Sequence, residues 1–139
     1  VVKSKAAEQD IIIMTAAVAD FCPSHPADEK IKKNDSSYEA VIELERTEDI
    51  LSYLGAHKAK GQLICGFSME TQNMLENSKA KLAKKNADMI VANNLKVAGA
   101  GFGTDTNVVT LITADDCTEL EIMDKSCVAA RIMDRLLQM

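Results

Sequence analysis

Three short apolar runs constrain this chain more than anything else in it: Ile11 to Met14 (IIIM), Leu63 to Phe67 (LICGF) and Ala87 to Ala92 (ADMIVA). The first is β-branched and lacks polar alternation, which suits a strand buried on both faces, as in a parallel sheet. Between the runs lie segments of helical character. Strand, helix, strand, helix, strand is the pattern of a parallel sheet with right-handed crossovers.

Local signals fill in the rest. Residues 1–9 read as the end of a helix, since Ala6 and Ala7 are good helix formers. Asp10 leads into the first strand, which ends in the small residues Thr15 to Asp20. Phe21 to Ser37 holds both prolines and little periodicity, and reads as a loop. Tyr38 to Glu45 alternates well enough for a half-exposed strand, with Val41 out of pattern.

Thr47 is placed to cap a helix whose first turn carries Glu48 and Asp49, where the helix dipole favours acids. Ile50, Leu51 and Leu54 give that helix its apolar stripe, and Gly61 follows its end. A longer helix is expected from about Glu70 to Asn86, with Thr71, Leu75, Ser78 and Leu82 on one face. The third apolar run closes in Asn93-Asn94. After a glycine-rich loop, Val108 to Ile112 and Leu120 to Met123 read as a late hairpin, and Asp124 or Ser126 caps a last helix reaching Leu137. The expected fold is therefore α/β: a Rossmann-like, mostly parallel sheet with flanking helices and a late antiparallel hairpin.

The 139 residues suffice for one domain with one core. A net charge of -5 repels nucleic acid, so no nucleic-acid partner is expected. Runs without charge, such as Ile11 to Ala19, are all too short to span a membrane. Cys22, Cys65, Cys117 and Cys127 are far apart and form no CxxC pair, so neither a disulfide framework nor a zinc site is expected, and a reducing cytoplasm is the simplest setting. The chain opens on Val1-Val2-Lys3 rather than methionine, and the first unit of a doubly wound fold is expected upstream of it.

Open α/β sheets bind ligands at the carboxyl ends of their strands. That rule selects Thr15–Asp20, Gly66–Glu70 and Ala92–Asn94. Asp20 is suited to a ribose hydroxyl or a divalent ion, or to a turn cap. Lys30, Lys32 and Lys33 form a basic run that suits phosphates, although composition alone favours a solvated loop. Lys81 and Lys85 lie one turn apart and share a helix face beside the core stripe. Gly99 to Gly103 (GAGFG) lacks a following helix and so fails the dinucleotide fingerprint. His25 and His57 are expected to face solvent, and no serine or cysteine sits in a nucleophile setting.

From Ala16-Ala17-Val18-Ala19-Asp20 onward the sequence resembles the C-terminal portion of the phosphopantothenate–cysteine ligase (phosphopantothenoylcysteine synthetase) family, of the bacterial, CTP-using type. The resemblance continues in order through Glu29-Lys30-Ile31-Lys32-Lys33, Thr47 to Leu51 (TEDIL), Gly66-Phe67 with Glu70, Lys81-Leu82 with Lys84-Lys85, Asp88 to Asn93 (DMIVAN), and Phe102, Asp105 and Asn107. AAVAD followed ten residues on by KIKK is the most specific element.

The resemblance implies a coenzyme A biosynthesis ligase that forms an acyl-cytidylate from 4'-phosphopantothenate and CTP, then passes the acyl group to cysteine. It implies that Met14, Thr15, Ala16 and Asp20 hold the nucleotide at a strand end. Lys30 would act on the activated intermediate from a loop closing over the site. Glu48, Asp49, Ile50 and Leu51 would contact the nucleotide from a helix start, Phe67 would flank the base, and Lys81 and Lys85 would meet the triphosphate. Mg2+ is the implied cofactor, with no ligand set assigned, and a homodimer with strands paired across it is the implied assembly.

Three departures stand out. The family usually has proline where Glu48 stands, and alanines are common where Ser68 and Met69 stand. The family's N-terminal glycine-rich segment, with its acyl-orienting asparagine, is not in this sequence, so residues 1–139 are read as a single ligase domain lacking that segment. The competing expectations are a non-catalytic nucleotide-binding or dimerisation module, and a nucleotide-fold enzyme of other chemistry.

Overall fold

The computed structural model describes residues 1–31, 41–70, 73–94, 97, 100–101 and 103–139. Lys32, Lys33, Thr71, Gly99 and Phe102, and the first residues of the strand expected from Tyr38, lie outside these. The chain divides into two compact units, Ala16–Asp49 and the remainder (Val1–Thr15 with Ile50–Met139).

In the larger unit a short helix α1 (Val2–Lys5) and a 3-10 turn (Ala6–Glu8) precede strand β1 (Ile11–Met14). The smaller unit contributes β2 (Phe21–Pro23) and β3 (Leu44–Arg46). The chain continues with α2 (Ile50–Ala56), β4 (Leu63–Glu70), α3 (Met74–Lys85) and β5 (Met89–Asn94). It finishes with β6 (Thr106–Asn107), β7 (Val109–Ile112), β8 (Cys117–Glu119), β9 (Met123–Asp124) and α4 (Lys125–Leu136). Among the described residues no helix is long and apolar enough to cross a membrane.

The main sheet has five strands in the order β1-β4-β5-β7-β8. β1 and β5 both run parallel to β4, and β7 and β8 extend the sheet antiparallel. This is the Rossmann-like α/β class with a late hairpin that the apolar runs imply. Alternate residues of β4 serve opposite faces, as the two-residue period of a strand requires. Cys65 and Phe67 join a core with Val128, Ile132 and Leu136 of α4, while Ile64 packs with Ile12 and Leu54 on the face covered by α2. Each such Leu, Ile or Val contributes about 1.5–3 kcal/mol by leaving water.

Several expectations change. β1 is an edge strand and only Ile12 is buried, because a single neighbour covers it. The stretch from Phe21 is not all loop: β2 pairs antiparallel with β3 in the register Phe21↔Arg46 and Pro23↔Leu44. The expected strand Tyr38–Glu45 is in fact Leu44–Arg46, and all of its residues are exposed. An exposed ribbon carries no burial alternation to detect. Thr47 does not cap α2, which opens three residues later; its hydroxyl donates to the carbonyl of Ala19 instead.

The helix expected from Glu70 starts at Met74, because pairing with β5 carries β4 on to Glu70, and Asn73 then turns the chain with a left-handed φ of 49°. Leu75 is exposed, leaving Ser78 and Leu82 as the residues α3 buries. In the hairpin the second strand is Cys117–Glu119, not Leu120–Met123. Thr113 N–H donates to Asp116 O at 2.9 Å and so closes a tight turn, and pairing resumes at once with Ile112↔Cys117. Met123 instead belongs to β9, which pairs with β6. Asp124 takes the N-cap position of α4 without a side-chain capping bond.

Helices α2 and α3 approach closely at Gly55. A Cβ there would stand 1.8 Å from the carbonyl oxygen of Lys85 and 2.9 Å from its carbon, both backbone atoms. Only glycine lets α2 meet the end of α3, where Asn86 Nδ2 also donates to Gly55 O at 2.8 Å. Gly55→Ala is expected to cost about 3 kcal/mol, the upper range for overpacking a site that cannot relax. Gly61→Ala meets open space at a φ of +83° and should cost about 1 kcal/mol for its backbone alone. Thermal melts of the two variants check the order; equal losses would show that the α2–α3 contact is not tight.

Candidate functional site

The parallel register brings three strand ends out together. Met14 of β1 sits opposite Gly66 of β4, and Ser68 and Met69 of β4 sit opposite Ala92 and Asn93 of β5. Gly66 matters for what lies above it. A Cβ there would stand 2.7 Å from Leu51 Cδ2 and 3.1 Å from Ile90 Cδ1, so its absence lets Leu51 settle on the sheet. Ile50, Leu51 and Met14 are half-buried against the same small core, while Thr15 is exposed just beyond β1.

Helix α3 brings both expected lysines to this edge. Lys81 Nζ donates to the carbonyl of Phe67 at 2.8 Å, and Lys85 Nζ donates to Ser52 Oγ of α2 at 2.9 Å. Both lysines are half-buried, whereas Lys79 and Lys84 are exposed. Beneath them a polar seam crosses the strand ends. Ser68 Oγ and Ser78 Oγ share a hydrogen bond at 2.8 Å, and Asn107 Nδ2 donates to Asn93 Oδ1 at 2.8 Å. Asn107 Oδ1 accepts from Val108 N–H at 3.0 Å, which orients its amide.

Thus Met14, Ile50, Leu51, Phe67, Lys81 and Lys85 converge on the carboxyl edge of β1, β4 and β5. A shallow hollow on this unit belongs elsewhere: Leu120, Met123, Arg131 and Arg135 line it beside β8 and α4.

Ala16, Asp20, Lys30, Glu48 and Asp49 belong to the smaller unit. Within it the AAVAD segment is pinned to the end of β3: Thr47 N–H donates to Asp20 O at 3.0 Å, and the Thr47 hydroxyl to Ala19 O. That leaves the Asp20 carboxylate exposed at a fixed turn. Lys30 and Ile31 are also exposed.

The remaining reactive side chains stay outside both sets. Burial, and secondarily the Asp88 charge, pushes the Cys65 thiol up to about 12, so it is no nucleophile near neutral pH. His57 is exposed and stacks on Tyr53 with ring centroids 4.1 Å apart, and His25 is exposed as well. Among the described residues no group of three or more His, Cys, Asp or Glu side chains is placed to hold a metal ion.

A Rossmann-like sheet with a polar strand edge and two half-buried lysines beside it agrees with what sequence comparison finds. The DNA/pantothenate metabolism flavoprotein C-terminal domain family matches residues 1–139. The chain belongs to this family.

Among its relatives, the coenzyme A biosynthesis bifunctional protein CoaBC of Bacillus subtilis is 48% identical over 128 residues, or 91% of this chain and 31% of that protein. A cysteine/cysteine sulfinic acid decarboxylase of an unknown prokaryotic organism is 47% identical over 131 residues, or 94% of this chain and 36% of that protein. The crystal structure of the C-terminal domain of CoaBC superposes with a TM-score of 0.76 at 41% identity, covering 99% of this chain and 60% of that one. The chain thus spans about a third of the length of the curated relatives it matches.

Sequence reasoning did not single out Ser52, Gly55 or the Ser68–Ser78 pair as parts of the site. Ser78 stood on the expected helix stripe, and a hydroxyl on a stripe of apolar residues was the available signal. Asn93 and Asn107 stood in the quoted motifs without a role. The thiol chemistry is checked by alkylation. With iodoacetamide at about pH 8, near the ordinary thiol range, exposed Cys117 and Cys127 should label in the folded protein and Cys65 only after denaturation. Labelling of Cys65 at a similar rate would contradict its burial.

Proposed function

We propose that this chain is the nucleotide-handling part of a phosphopantothenate–cysteine ligase of coenzyme A biosynthesis, read as a single ligase domain. The observation that carries the reading is the lysine pair of α3, Lys81 drawn in on the Phe67 carbonyl of β4 and Lys85 on the Ser52 hydroxyl of α2. Membership of a family whose relatives include CoaBC proteins supplies the substrate class.

In this reading the carboxylate of 4'-phosphopantothenate attacks the α-phosphorus of CTP. A carboxyl O–P bond forms, the α–β P–O bond breaks, and pyrophosphate leaves. The amine of cysteine then attacks the acyl carbon, a C–N bond forms with loss of a proton, and CMP departs with the former bridging oxygen. No residue is covalently modified at any stage, so the protein's work is positioning and charge neutralisation.

Met14, Thr15, Ala16 and Asp20 take the nucleotide at the strand end, with Glu48, Asp49, Ile50 and Leu51 contributing from the start of α2. Phe67 flanks the base, Lys81 and Lys85 meet the triphosphate, and Lys30 acts on the acyl-cytidylate as its charge changes. Mg2+ is the proposed cofactor; it would supply charge neutralisation of the triphosphate, with no protein ligands assigned and no step routed through it.

The assembly proposed is a homodimer. Its support is the apolar surface of the small unit, where Val41 is 83%, Ile42 71% and Leu44 59% exposed; patches of this kind mark association surfaces. The cysteines are free, which fits the reducing cytoplasm proposed as its location. Ile42→Asp should shift sedimentation from dimer to monomer; an unchanged sedimentation coefficient would remove the ribbon from the interface.

Pyrophosphate release in the full-length protein, dependent on CTP, phosphopantothenate and cysteine together, tests the reaction. Selective CTP binding with no release would leave a nucleotide-binding module instead. Lys30→Gln should slow turnover about a hundredfold or more, the usual scale for losing one such charge contact. Its melting temperature should be unchanged, because the side chain is exposed. A full-rate variant would take Lys30 out of the mechanism.

A further inference from the structure

Helix α3 is seated on the sheet in an unusual way. The residues it buries are Ser78 and Leu82, so only one of the two is apolar. Ser78 is fully buried, and Ser68, its partner on β4, is 4% exposed. Their hydroxyls meet at 2.8 Å. One residue earlier on β4, Phe67 offers its carbonyl to Lys81 Nζ, also at 2.8 Å.

Consecutive residues of one strand therefore grip two residues of one helix that lie a turn apart on the same face. Apolar contact is non-directional and tolerates a helix that rotates or slides by a fraction of an ångström. A hydrogen bond depends on both distance and angle, so a buried hydroxyl pair does not tolerate this. The Ser68–Ser78 bond consequently sets the rotation and height of α3 at the point where Lys81 leaves it.

We infer that Ser68 and Ser78 form a positioning device for Lys81, holding its ammonium where a nucleotide phosphate can take it over from the Phe67 carbonyl. The inference rests on the phosphate-binding reading of Lys81 given above. It adds residues that touch no substrate and act through one that does. The two serines come from separate elements, ten residues apart in sequence, and either can be changed without touching the lysine.

The test is a double-mutant cycle in the full-length protein, read by calorimetric titration with CTP so that binding is measured whether or not turnover occurs. Ser78→Ala should weaken CTP binding about tenfold, on the scale of one charge-assisted contact. Lys81→Gln should do the same or more, and the double variant should bind no more weakly than Lys81→Gln alone, since the serines act only through the lysine. Ser68→Ala should repeat the Ser78→Ala result, and thermal melts of each variant confirm that the titrations are made on folded protein. Independent, multiplying losses in the double variant would overturn the device, as would unchanged CTP affinity in both serine variants. If Lys81→Gln alone leaves CTP affinity unchanged, the phosphate-binding reading fails as well. Normal coupling without pyrophosphate release would sink the ligase reading and keep the device.

Discussion

The pairing of β4 with β5 is the constraint on which the rest of the larger unit depends, and Asp88 locks it. The Asp88 backbone N–H donates to Ile64 O at 2.9 Å, and its carboxylate accepts from Ile64 N–H at 2.7 Å. Lys58 Nζ reaches the other carboxylate oxygen at 2.5 Å. A half-buried carboxylate that accepts from a backbone N–H and an ammonium is expensive to disrupt, because losing either partner strands the other's charge or dipole. The clamp stands where β5 begins, and register is conserved along a ladder. It therefore also fixes which residues emerge at the opposite, carboxyl edge. A slip of one residue would turn Ser68 away from α3 and bring Phe67 or Met69 to face it instead.

The two faces of the sheet are held by different physics. On one, α4 buries Val128, Ile132 and Leu136 against Cys65, Met89, Val91 and Val109, a core held by apolar area. On the other, α3 has little apolar area to offer and is placed instead by close approach and directed bonds: Gly55 against the Lys85 carbonyl, Asn86 on Gly55 O, and the two buried serines. The lysines project from the directionally held helix. Area-driven packing fixes where a helix lies, whereas directed bonds also fix how it is rotated.

Legibility in the sequence followed burial. β4 and β5 were readable because a strand covered by neighbours must be apolar throughout, and β1 because its β-branched run favours a strand even at the sheet edge. The ribbon of β2 and β3 was not, since exposed strands such as Leu44–Arg46 impose no pattern and Pro23 looks like loop chemistry. The end of β4 was missed because Met69 and Glu70 extend it only by pairing with Asn93 and Asn94, a tertiary fact. Lys81 and Lys85 could be placed on one helix face from spacing alone. Their acceptors could not, because the Phe67 carbonyl and the Ser52 hydroxyl become neighbours only when β4, α2 and α3 pack. The assignments of Asp20 and Lys30 came from resemblance, and the turn that fixes Asp20 depends on Thr47, a contact spanning 28 residues that no local rule anticipates.

The state of the two lysines bears on how such a site would gain affinity. A free lysine side chain carries about 2 kcal/mol of rotamer entropy that a ligand must remove on binding. Here Lys81 already rests on a backbone carbonyl and Lys85 on a hydroxyl, so part of that ordering is done before any ligand arrives. The Phe67 carbonyl is a neutral acceptor, and its bond to the Lys81 ammonium already carries one charge, which places it in the range of about 1.5–3 kcal/mol. Exchanging a neutral oxygen for a phosphate oxygen adds a second charge to the bond and strengthens it further. An anion entering this edge would therefore offer Lys81 a charged acceptor in place of a neutral one and meet lysines already ordered, so that binding energy goes into positioning.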